Sequence, residues 1–213
     1  MPDQQVRHPL FARFYSRVSA SMEAAGVGQL RAQLLAGLTG AVVEVGAGNG
    51  LNFGHYPGSV TSVLAVEPEP HLRGLAEQAA AAAGVPVKVV DGTAEQLPAA
   101  DGSADAVVAT LMFCSVPDVG AALGEIRRVL RPGGQFVFME HVRGDSRVCQ
   151  YVQRLADATI RPALMGGCRA HRDPVAAIKS AGFTVASLTK YRQPDSRLPW
   201  PTVPHARGIA VRD

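Results

Sequence analysis

No stretch of this sequence approaches the ~20 consecutive apolar residues that a membrane-spanning helix needs. The N-terminus also has no apolar core typical of a secretory signal peptide. Cysteine is scarce, since only Cys114, Cys149 and Cys168 occur, and their spacing indicates no disulfide pairs. From these absences we expect a soluble protein of a reducing compartment, the cytoplasm, with no membrane span.

Aromatic residues and net charge are also low for a nucleic-acid-binding protein. Phe, Trp and Tyr make up 6% of the chain, the formal net charge is +3, and the arginines are spread along the sequence. We therefore expect no nucleic-acid partner. Neither the G-x-S-x-G motif of hydrolases nor a P-loop occurs. The 213 residues, 47% of them hydrophobic, suit a single α/β domain over residues 1–213.

A glycine-rich loop follows a short apolar stretch near residue 45. Residues 41–45 (Ala-Val-Val-Glu-Val) predict a buried strand, and residues 46–50 (Gly-Ala-Gly-Asn-Gly) follow it. Such a backbone can pass close to a ligand, and the N–H groups of a helix predicted over 51–56 point back at it. The spacing G-x-G-x-G differs from the dinucleotide fingerprint G-x-G-x-x-G. The preceding Glu44 repels a pyrophosphate and attracts an ammonium, which favours S-adenosylmethionine (SAM) over NAD. A turn with no ligand gives the same pattern.

A second acidic residue lies where an adenosine would need it. Residues 62–66 predict a strand that ends at Glu67, 17 residues after Gly50. An acid at the end of the second strand of a βαβ unit is placed to accept hydrogen bonds from both ribose hydroxyls. Both NAD and SAM contain this ribose, so Glu67 indicates an adenosine and no particular cofactor. The alternative is an ordinary strand-end carboxylate in water.

Strand-like segments alternate with helical ones along the chain. Alternation of this kind predicts a parallel sheet with right-handed crossovers. Strands are expected at 41–45, 62–67, 85–90, 105–110, 135–140, 183–190 and 205–212, and helices at 72–83, 118–130, 148–160 and 173–181, with an irregular loop at 191–204.

Two amphipathic helices precede the first predicted strand. Apolar residues recur at helical spacing over 10–22 and 28–38, and Gly26-Val27-Gly28 separates the two segments. Because they come before the sheet, they cannot be crossovers within it. They either pack on its flank or cover its open end, and we expect residues 1–38 to form an N-terminal helical cover.

Taken in order, these features resemble the class I SAM-dependent methyltransferases. The resemblance rests on the loop at 44–50, on Glu67, and on the stretches at 92–98, 105–108 and 130–134. More narrowly, the chain resembles the methyltransferase type 11 group and its methyltransferase-like 7 branch of thiol methyltransferases, through residues 110–116, 139–142, 166–168 and 204–208. The resemblance implies a Rossmann-like α/β fold, with a seven-stranded, mostly parallel sheet and helices on both faces.

The resemblance also implies which residues hold the cofactor. Glu44 and the glycine loop face the methionine part of SAM, Glu67 faces the ribose, and Thr93 and Ala94 border the adenine. Many relatives carry Asp where this chain has Thr93, so the adenine contact differs here. The full set of expected cofactor-binding residues is Glu44, Gly46, Ala47, Gly48, Asn49, Gly50, Glu67, Pro68, Gly92, Thr93, Ala94, Thr110, Leu111 and Met112.

The expected substrate pocket lies at the ends of the fourth and fifth predicted strands. His141 follows the fifth strand and is the candidate catalytic residue, as a general base or as a group that orients the acceptor. A polar position on the rim is the alternative. Cys114 follows the fourth strand, and we expect it to be a small pocket wall and not a nucleophile. The predicted pocket residues are Tyr15, Phe113, Cys114, His141 and Trp200.

No metal ion is expected from the sequence. Cys168 and His171 have the spacing C-x-x-H, which occurs in zinc sites. Two such ligands without a second pair are weak support for a metal, so we predict none.

These residues predict an enzyme that transfers the methyl group of SAM to a small-molecule acceptor and releases S-adenosylhomocysteine (SAH). The methyltransferase-like 7 resemblance favours a thiol acceptor. Transfer to carbon, nitrogen or oxygen of a quinol or another metabolite, and SAM binding without turnover, are the alternatives. Animal members of that branch carry an N-terminal apolar anchor, which this sequence lacks, so we expect no membrane attachment. The sequence leaves monomer and dimer open.

Overall fold

A seven-stranded sheet forms the centre of the computed structural model, which describes residues 9–194 and 200–213. Its strands are β1 (Gly40–Val45), β2 (Val60–Val66), β3 (Val87–Val90), β4 (Ala104–Thr110), β5 (Leu130–His141), β6 (Phe183–Arg192) and β7 (Pro204–Arg212). They lie in the order β3-β2-β1-β4-β5-β7-β6, with β1 to β5 parallel and β7 antiparallel to both neighbours. The predicted Rossmann-like, mostly parallel sheet is confirmed. Residues 1–8 of the expected cover and 195–199 of the expected loop lie outside the described residues.

Most helices begin where a side chain can accept a hydrogen bond from the first turn. In the described part of the chain the α-helices are α1 (Pro9–Met22), α2 (Gly28–Leu35), α3 (Pro70–Ala80), α4 (Val119–Val129), α5 (Arg147–Asp157), α6 (Arg161–Leu164) and α7 (Pro174–Ser180). Helices α3, α4, α5 and α7 each follow a residue whose side-chain oxygen accepts from a backbone N–H within 3.1 Å. These caps are Glu69, Asp118, Ser146 and Asp173.

The prediction of a helix over residues 51–56 is wrong. These residues form turns and one short 3₁₀ helix, Phe53–His55. Tyr56 has an extended backbone (φ −67°, ψ 128°), because it precedes Pro57 and the proline ring disfavours the helical conformation before it.

Several other boundaries differ from the predicted ones, among them the end of α2 and the start of β3. Helix α2 ends at Leu35, because Gly37 leads into a turn that closes with a hydrogen bond from Leu38 N to Leu35 O (3.0 Å). Strand β3 begins at Val87, since Pro86 has no N–H to donate to the ladder.

The core consists of two apolar layers, one on each face of the sheet. Val107 on one face packs in the layer that includes residues of α4 and α7, such as Ile126 and Ile178. Val108 on the other face packs in the layer that includes residues of α2 and α3, such as Leu35. Burial of a strand on both faces is typical of a parallel sheet between two helical layers. The sheet therefore presents its strand ends, and not its faces, to a ligand.

Helices α1 and α2 meet at a kink. A π-helical segment, Glu23–Val27, joins them, and within it Gly26 adopts the left-handed conformation (φ 103°). The kink lies at the predicted Gly-Val-Gly separator. None of the described helices is long and apolar enough to cross a membrane.

Replacing the kink glycine tests this geometry. No atom lies within 4 Å of a Cβ built on Gly26, so the cost of Gly26→Ala arises from the backbone alone. We expect it to lower the free energy of unfolding by about 1–2 kcal/mol. The matched control is Gly124→Ala in the exposed middle of α4, which should raise that free energy by about 0.5–1 kcal/mol. Urea denaturation measures both, and a Gly26→Ala variant as stable as wild type would contradict the kink.

Candidate active site

The carboxyl ends of β1 to β5 meet at one edge of the sheet, and the glycine loop lies there. It turns through three glycines with positive φ (68° at Gly46, 57° at Gly48, 80° at Gly50). Gly46 N–H donates to Val66 O (2.9 Å), which holds the loop against the end of β2. A Cβ on Gly46 would come within 2.9 Å of the Cβ of Met112. This glycine therefore allows the loop after β4 to pack against the loop after β1.

Glu67 lies directly after β2, buried, and both of its carboxylate oxygens accept backbone hydrogen bonds. Gly48 N–H donates to Oε2 (2.8 Å) and Glu69 N–H donates to Oε1 (2.9 Å). Burial raises the pKa of Glu67, and these two hydrogen bonds oppose that shift. Each carboxylate oxygen has two lone pairs and can therefore accept one more hydrogen bond. The side chain offers paired acceptors for a diol beside the glycine loop.

Glu44 is buried at the end of β1, and two side chains donate to its oxygens. Tyr56 Oη donates to Oε2 (2.6 Å) and Asn52 Nδ2 donates to Oε1 (2.9 Å). Burial raises the pKa of Glu44 to about 7, against the effect of both hydrogen bonds. Glu44 therefore fixes the side chains of Tyr56 and Asn52 behind the glycine loop. Its attraction for an ammonium stays a prediction.

A buried arginine that the sequence pattern did not single out completes this network. Arg31 in α2 is 3% exposed and donates to Glu23 Oε1 (2.9 Å), Asn52 Oδ1 (2.8 Å) and Thr110 Oγ1 (3.0 Å). It places a cation between the ends of β1 and β4. Arg31 lies one helical turn before the buried Leu35, at the spacing of a core-facing position, and this spacing is the signal that could have identified it.

Helix α1 lies against the glycine loop. The ring of Tyr15 lies 3.6 Å from a Cβ built on Gly48, and Asn49 Nδ2 donates to Ser19 Oγ (3.1 Å). Burial raises the pKa of Tyr15, and the charge of Arg31 opposes the shift. Asn49 Oδ1 is buried and has no hydrogen-bond donor among the described residues. An unsatisfied buried acceptor in a ligand-binding loop is the kind of atom that a ligand donor would satisfy.

The loop after β3 lies beside the end of β2. A Cβ on Gly92 would come within 2.9 Å of a β2 side chain, so the chain passes close to that strand. Ala94 is buried and Thr93 is half-buried. Arg73 donates to Pro68 O (3.0 Å), which fixes the segment after Glu67. The predicted adenine-side residues therefore lie together.

A strained turn follows β4 and leads to the predicted acceptor side. Leu111 has positive φ (58°), and its N–H donates to Met139 O (2.7 Å). Glu140, fully buried in β5, accepts from Met112 N (3.0 Å) and Phe113 N (3.2 Å). Burial raises the pKa of Glu140 to about 8, against the effect of these N–H donors. A buried acid thus fixes the turn on which several predicted site residues lie.

The structure brings Cys114 and His141 together, and Cys168 joins them. The two Sγ atoms and one ring nitrogen of His141 all lie within 4.8 Å of one another, and Cys168 Sγ is 4.0 Å from His141 Nδ1. Contact with Cys168, together with burial, raises the pKa of the Cys114 thiol well above its ordinary value. His171, which the C-x-x-H spacing linked to Cys168, is not part of this group. Its backbone N–H donates to Asp157 (2.9 Å).

A second histidine supports the imidazole of His141. The ring of His205 in β7 lies 4.6 Å from that of His141 between centroids, and Tyr191 stacks on His205 at 5.3 Å. Burial lowers the pKa of His205 to about 3, with a further contribution from His141. His205 is therefore neutral at physiological pH. Trp200, also predicted to line the pocket, is 59% exposed.

The chemistry of this edge fits SAM. Glu67 offers paired acceptors for the ribose diol, while Glu44 and the unsatisfied Asn49 Oδ1 offer acceptors for an ammonium. Arg31 offers a cation for a carboxylate. Gly48 gives the backbone approach that a bulky ligand requires.

Comparison with known proteins agrees with this geometry. A methyltransferase domain model matches residues 43–138. Human thiol S-methyltransferase TMT1A is 35% identical over 178 residues, which cover 80% of this chain and 70% of that protein. Human thiol S-methyltransferase TMT1B is 33% identical over 185 residues, covering 83% and 74%.

The chain belongs to the class I SAM-dependent methyltransferases. The solved geranyl diphosphate C-methyltransferase of Streptomyces coelicolor A3(2), in complex with Mg²⁺, geranyl diphosphate and S-adenosyl-L-homocysteine, has a TM-score of 0.65 with this chain at 15% identity. The likeness covers 87% of this chain and 78% of that one, and at this identity it shows the fold. The predicted enzyme class, its cofactor SAM and the resemblance to thiol methyltransferases are confirmed.

The contacts of α1 predict that this methyltransferase closes over its cofactor. Tyr15 and Ser19 meet the glycine loop, and a bound ligand would add contacts with α1 to these. We expect the backbone amides of α1 and α2 to exchange hydrogen more slowly when SAH is bound. Helix α7, on the opposite face of the sheet from α2, is the internal reference and should not change. Hydrogen–deuterium exchange with and without SAH decides this, and equal protection of α1 in both states would exclude the cover.

Proposed function

We propose that this methyltransferase transfers the methyl group of SAM to the sulfur of a small-molecule thiol. The observation that carries the proposal is the similarity to human TMT1A, a thiol S-methyltransferase, over 80% of this chain. The acceptor side supports it, because two thiols and an imidazole meet next to the turn of Met112 and Phe113. The two thiols are soft, weakly hydrated groups, and they suit an apolar thiol better than a charged metabolite.

The proposal also assigns residues to the cofactor half of the site. Glu67 accepts from the ribose hydroxyls, and Glu44 with Asn49 receives the ammonium. Arg31 binds the carboxylate, since a guanidinium has five N–H donors and its three contacts leave two. The other residues proposed to line the cofactor are Gly46, Ala47, Gly48, Gly50, Pro68, Gly92, Thr93, Ala94, Thr110, Leu111 and Met112.

When bound, SAM supplies an electrophilic methyl group on a sulfonium. The protein's own residues therefore mainly align the acceptor and exclude water, and alignment of this kind can lower a barrier by ~7–11 kcal/mol. Tyr15 would form a wall of the acceptor pocket, and His141 with Cys114 would meet the acceptor sulfur. Phe113, predicted as a second wall, is instead buried in the core with its ring 6.0 Å from that of Phe136. A thiol near pKa ~8.5 must still lose its proton before it attacks.

Loss of the proposed ribose acid should weaken cofactor binding. Glu67→Gln removes a charge-assisted hydrogen bond of roughly 1.5–3 kcal/mol, so we expect the dissociation constant of SAH to rise about 10- to 100-fold. Calorimetry measures it, with Glu77→Gln as the control, since Glu77 is an exposed acid on α3. Circular dichroism checks that both variants are folded. An unchanged dissociation constant in Glu67→Gln would remove Glu67 from the cofactor site.

The acceptor is tested with matched pairs of small molecules. We expect SAH to form from SAM with 2-mercaptoethanol or thiophenol, and at least ~10²-fold more slowly with ethylene glycol or phenol. The reason is that a thiol is far more acidic than the corresponding alcohol or phenol, and its thiolate is more nucleophilic. Labelled SAM and mass spectrometry of the product identify the methylated atom. Turnover of amines or quinol precursors, with none of thiols, would replace the thiol by another acceptor. Binding of SAM with no turnover of any acceptor would indicate a sensor.

A further inference from the structure

Three soft ligands converge at the acceptor side from three separate segments. Cys114 follows β4, His141 ends β5, and Cys168 lies in the segment between α6 and α7. Their Sγ and ring nitrogen atoms lie within 4.8 Å of one another. Both cysteines are buried (4% and 7% exposed), whereas His141 is half-buried. Of the three residues, His141 is therefore the one that is partly accessible.

The distances are close to those of a tetrahedral zinc site. Zn–S bonds of ≈ 2.3 Å and Zn–N bonds of ≈ 2.0–2.1 Å give S···S and S···N separations of about 3.8 Å and 3.6 Å. Cys168 Sγ and His141 Nδ1 are 4.0 Å apart, and no separation in the group exceeds 4.8 Å. Each ligand would move by about 1 Å or less, which side-chain rotation can supply.

The two loops that carry the cysteines are bound to each other. Arg169 N–H donates to the carbonyl of Cys114 (2.8 Å). The guanidinium of Arg172 donates to the carbonyls of Phe113 and Val116. Gly167 approaches Ser115 so closely that a Cβ there would meet its carbonyl oxygen at 3.2 Å. The positions of Cys114 and Cys168 are therefore fixed relative to each other by backbone contacts.

In contrast to the prediction from the sequence, we propose that Cys114, Cys168 and His141 bind one zinc ion whose fourth position takes the sulfur of the acceptor thiol. This inference rests on the proposed thiol S-methylation. Thiolate and imidazole ligands select zinc over magnesium or calcium, and three protein ligands with one open position are the pattern of a catalytic zinc site. Cys114 follows closely after Met112, which packs against Gly46, so the ion would lie on the side of the site where the glycine loop is.

The chemistry balances without any further reactant. On binding, the acceptor thiol replaces a water on zinc and releases its proton to solvent, which leaves a zinc-bound thiolate at neutral pH. A lone pair of that sulfur forms the new S–CH₃ bond, the sulfonium C–S bond breaks, and its electron pair stays on the sulfur of SAH. The product is a neutral thioether, a weaker ligand than a thiolate, and water displaces it from zinc.

Metal content and the spectrum of a cobalt substitute test the ligand set. Purified enzyme, reduced with a phosphine and dialysed against zinc, should contain one zinc per chain. With Co²⁺ in its place it should show thiolate-to-metal charge-transfer bands and the visible bands of tetrahedral cobalt. Cys114→Ser and Cys168→Ser should each lower zinc affinity at least tenfold and weaken the charge-transfer bands. Cys149→Ser, which replaces the cysteine on α5 outside the group, should change neither.

The role of the open position is tested with 2-mercaptoethanol. It should shift the cobalt bands, and ethylene glycol should not. After removal of the metal, the methylation rate at neutral pH should fall. The rate of the metal-free enzyme should then rise about tenfold per pH unit from 6 to 8, as for a free thiol, whereas the rate of the zinc enzyme should level off at a lower pH. SAH binding by calorimetry, unchanged in both cysteine variants, would show that they are folded.

The outcomes separate this inference from the proposed function. Absence of zinc from the wild-type enzyme, unchanged metal affinity in both cysteine variants, or cobalt bands that no thiol shifts would overturn the zinc site. Full-rate thiol methylation by metal-free enzyme would also overturn it and leave the proposed function standing. Cobalt bands that respond to thiols in an enzyme that methylates none would support the zinc site and refute thiol S-methylation.

Discussion

The buried guanidinium of Arg31 is the interaction on which the geometry of the site depends. It connects α2 to the ends of two central strands through Asn52 and Thr110, and Asn52 in turn donates to Glu44. Removing one partner from a buried ionic network costs about 3–5 kcal/mol, because the remaining charge lies uncompensated away from water. The helices before the sheet therefore belong to the hydrogen-bonded network behind the proposed cofactor site, since Arg31 completes hydrogen bonds that the strand ends do not make among themselves.

Two buried carboxylates at this edge make the ligand-free site sensitive to pH. The pKa of Glu44 is raised to about 7 and that of Glu140 to about 8, from 4.5, chiefly by burial. Between these pH values the native state binds more protons than the unfolded chain. The two protonated carboxyls therefore contribute most to the free energy of unfolding below pH ~4.5, and this contribution is lost as the pH rises through 7 to 8. In the proposed binding mode, the ammonium of SAM beside Glu44 would favour the ionised form of Glu44 and oppose this loss. Cofactor binding would then stabilise the strand ends.

The sequence predicted what depends on local pattern. Strands buried on both faces, such as the one that contains Val107 and Val108, are apolar runs that periodicity detects, and the glycine loop and Glu67 lie at fixed offsets from such runs. Arg31 was missed because its one signal, the core-facing spacing before Leu35, is easily taken for an interruption of the apolar pattern. Cys114 and His141 were both predicted in the pocket, but the approach of Cys168 was missed because it lies 27 residues after His141 in sequence, and backbone contacts between the two cysteine loops bring it there.

The order of the last strands explains why the two halves of the site have different origins. Because β7 runs antiparallel between β5 and β6, its first residues, and not its last, reach the edge where His141 lies, and His205 pairs with His141. The proposed acceptor side therefore combines the ends of β4 and β5 with residues from the chain after β5, such as Cys168, while the loops after β1 to β3 belong to the proposed cofactor side. Changes in the segment that carries Cys168 can alter the acceptor chemistry without touching Glu67 or the glycine loop. This separation allows one fold to combine a constant methyl donor with many acceptors. In this chain, the proposed acceptor therefore depends on Cys114, His141 and Cys168 and not on the fold.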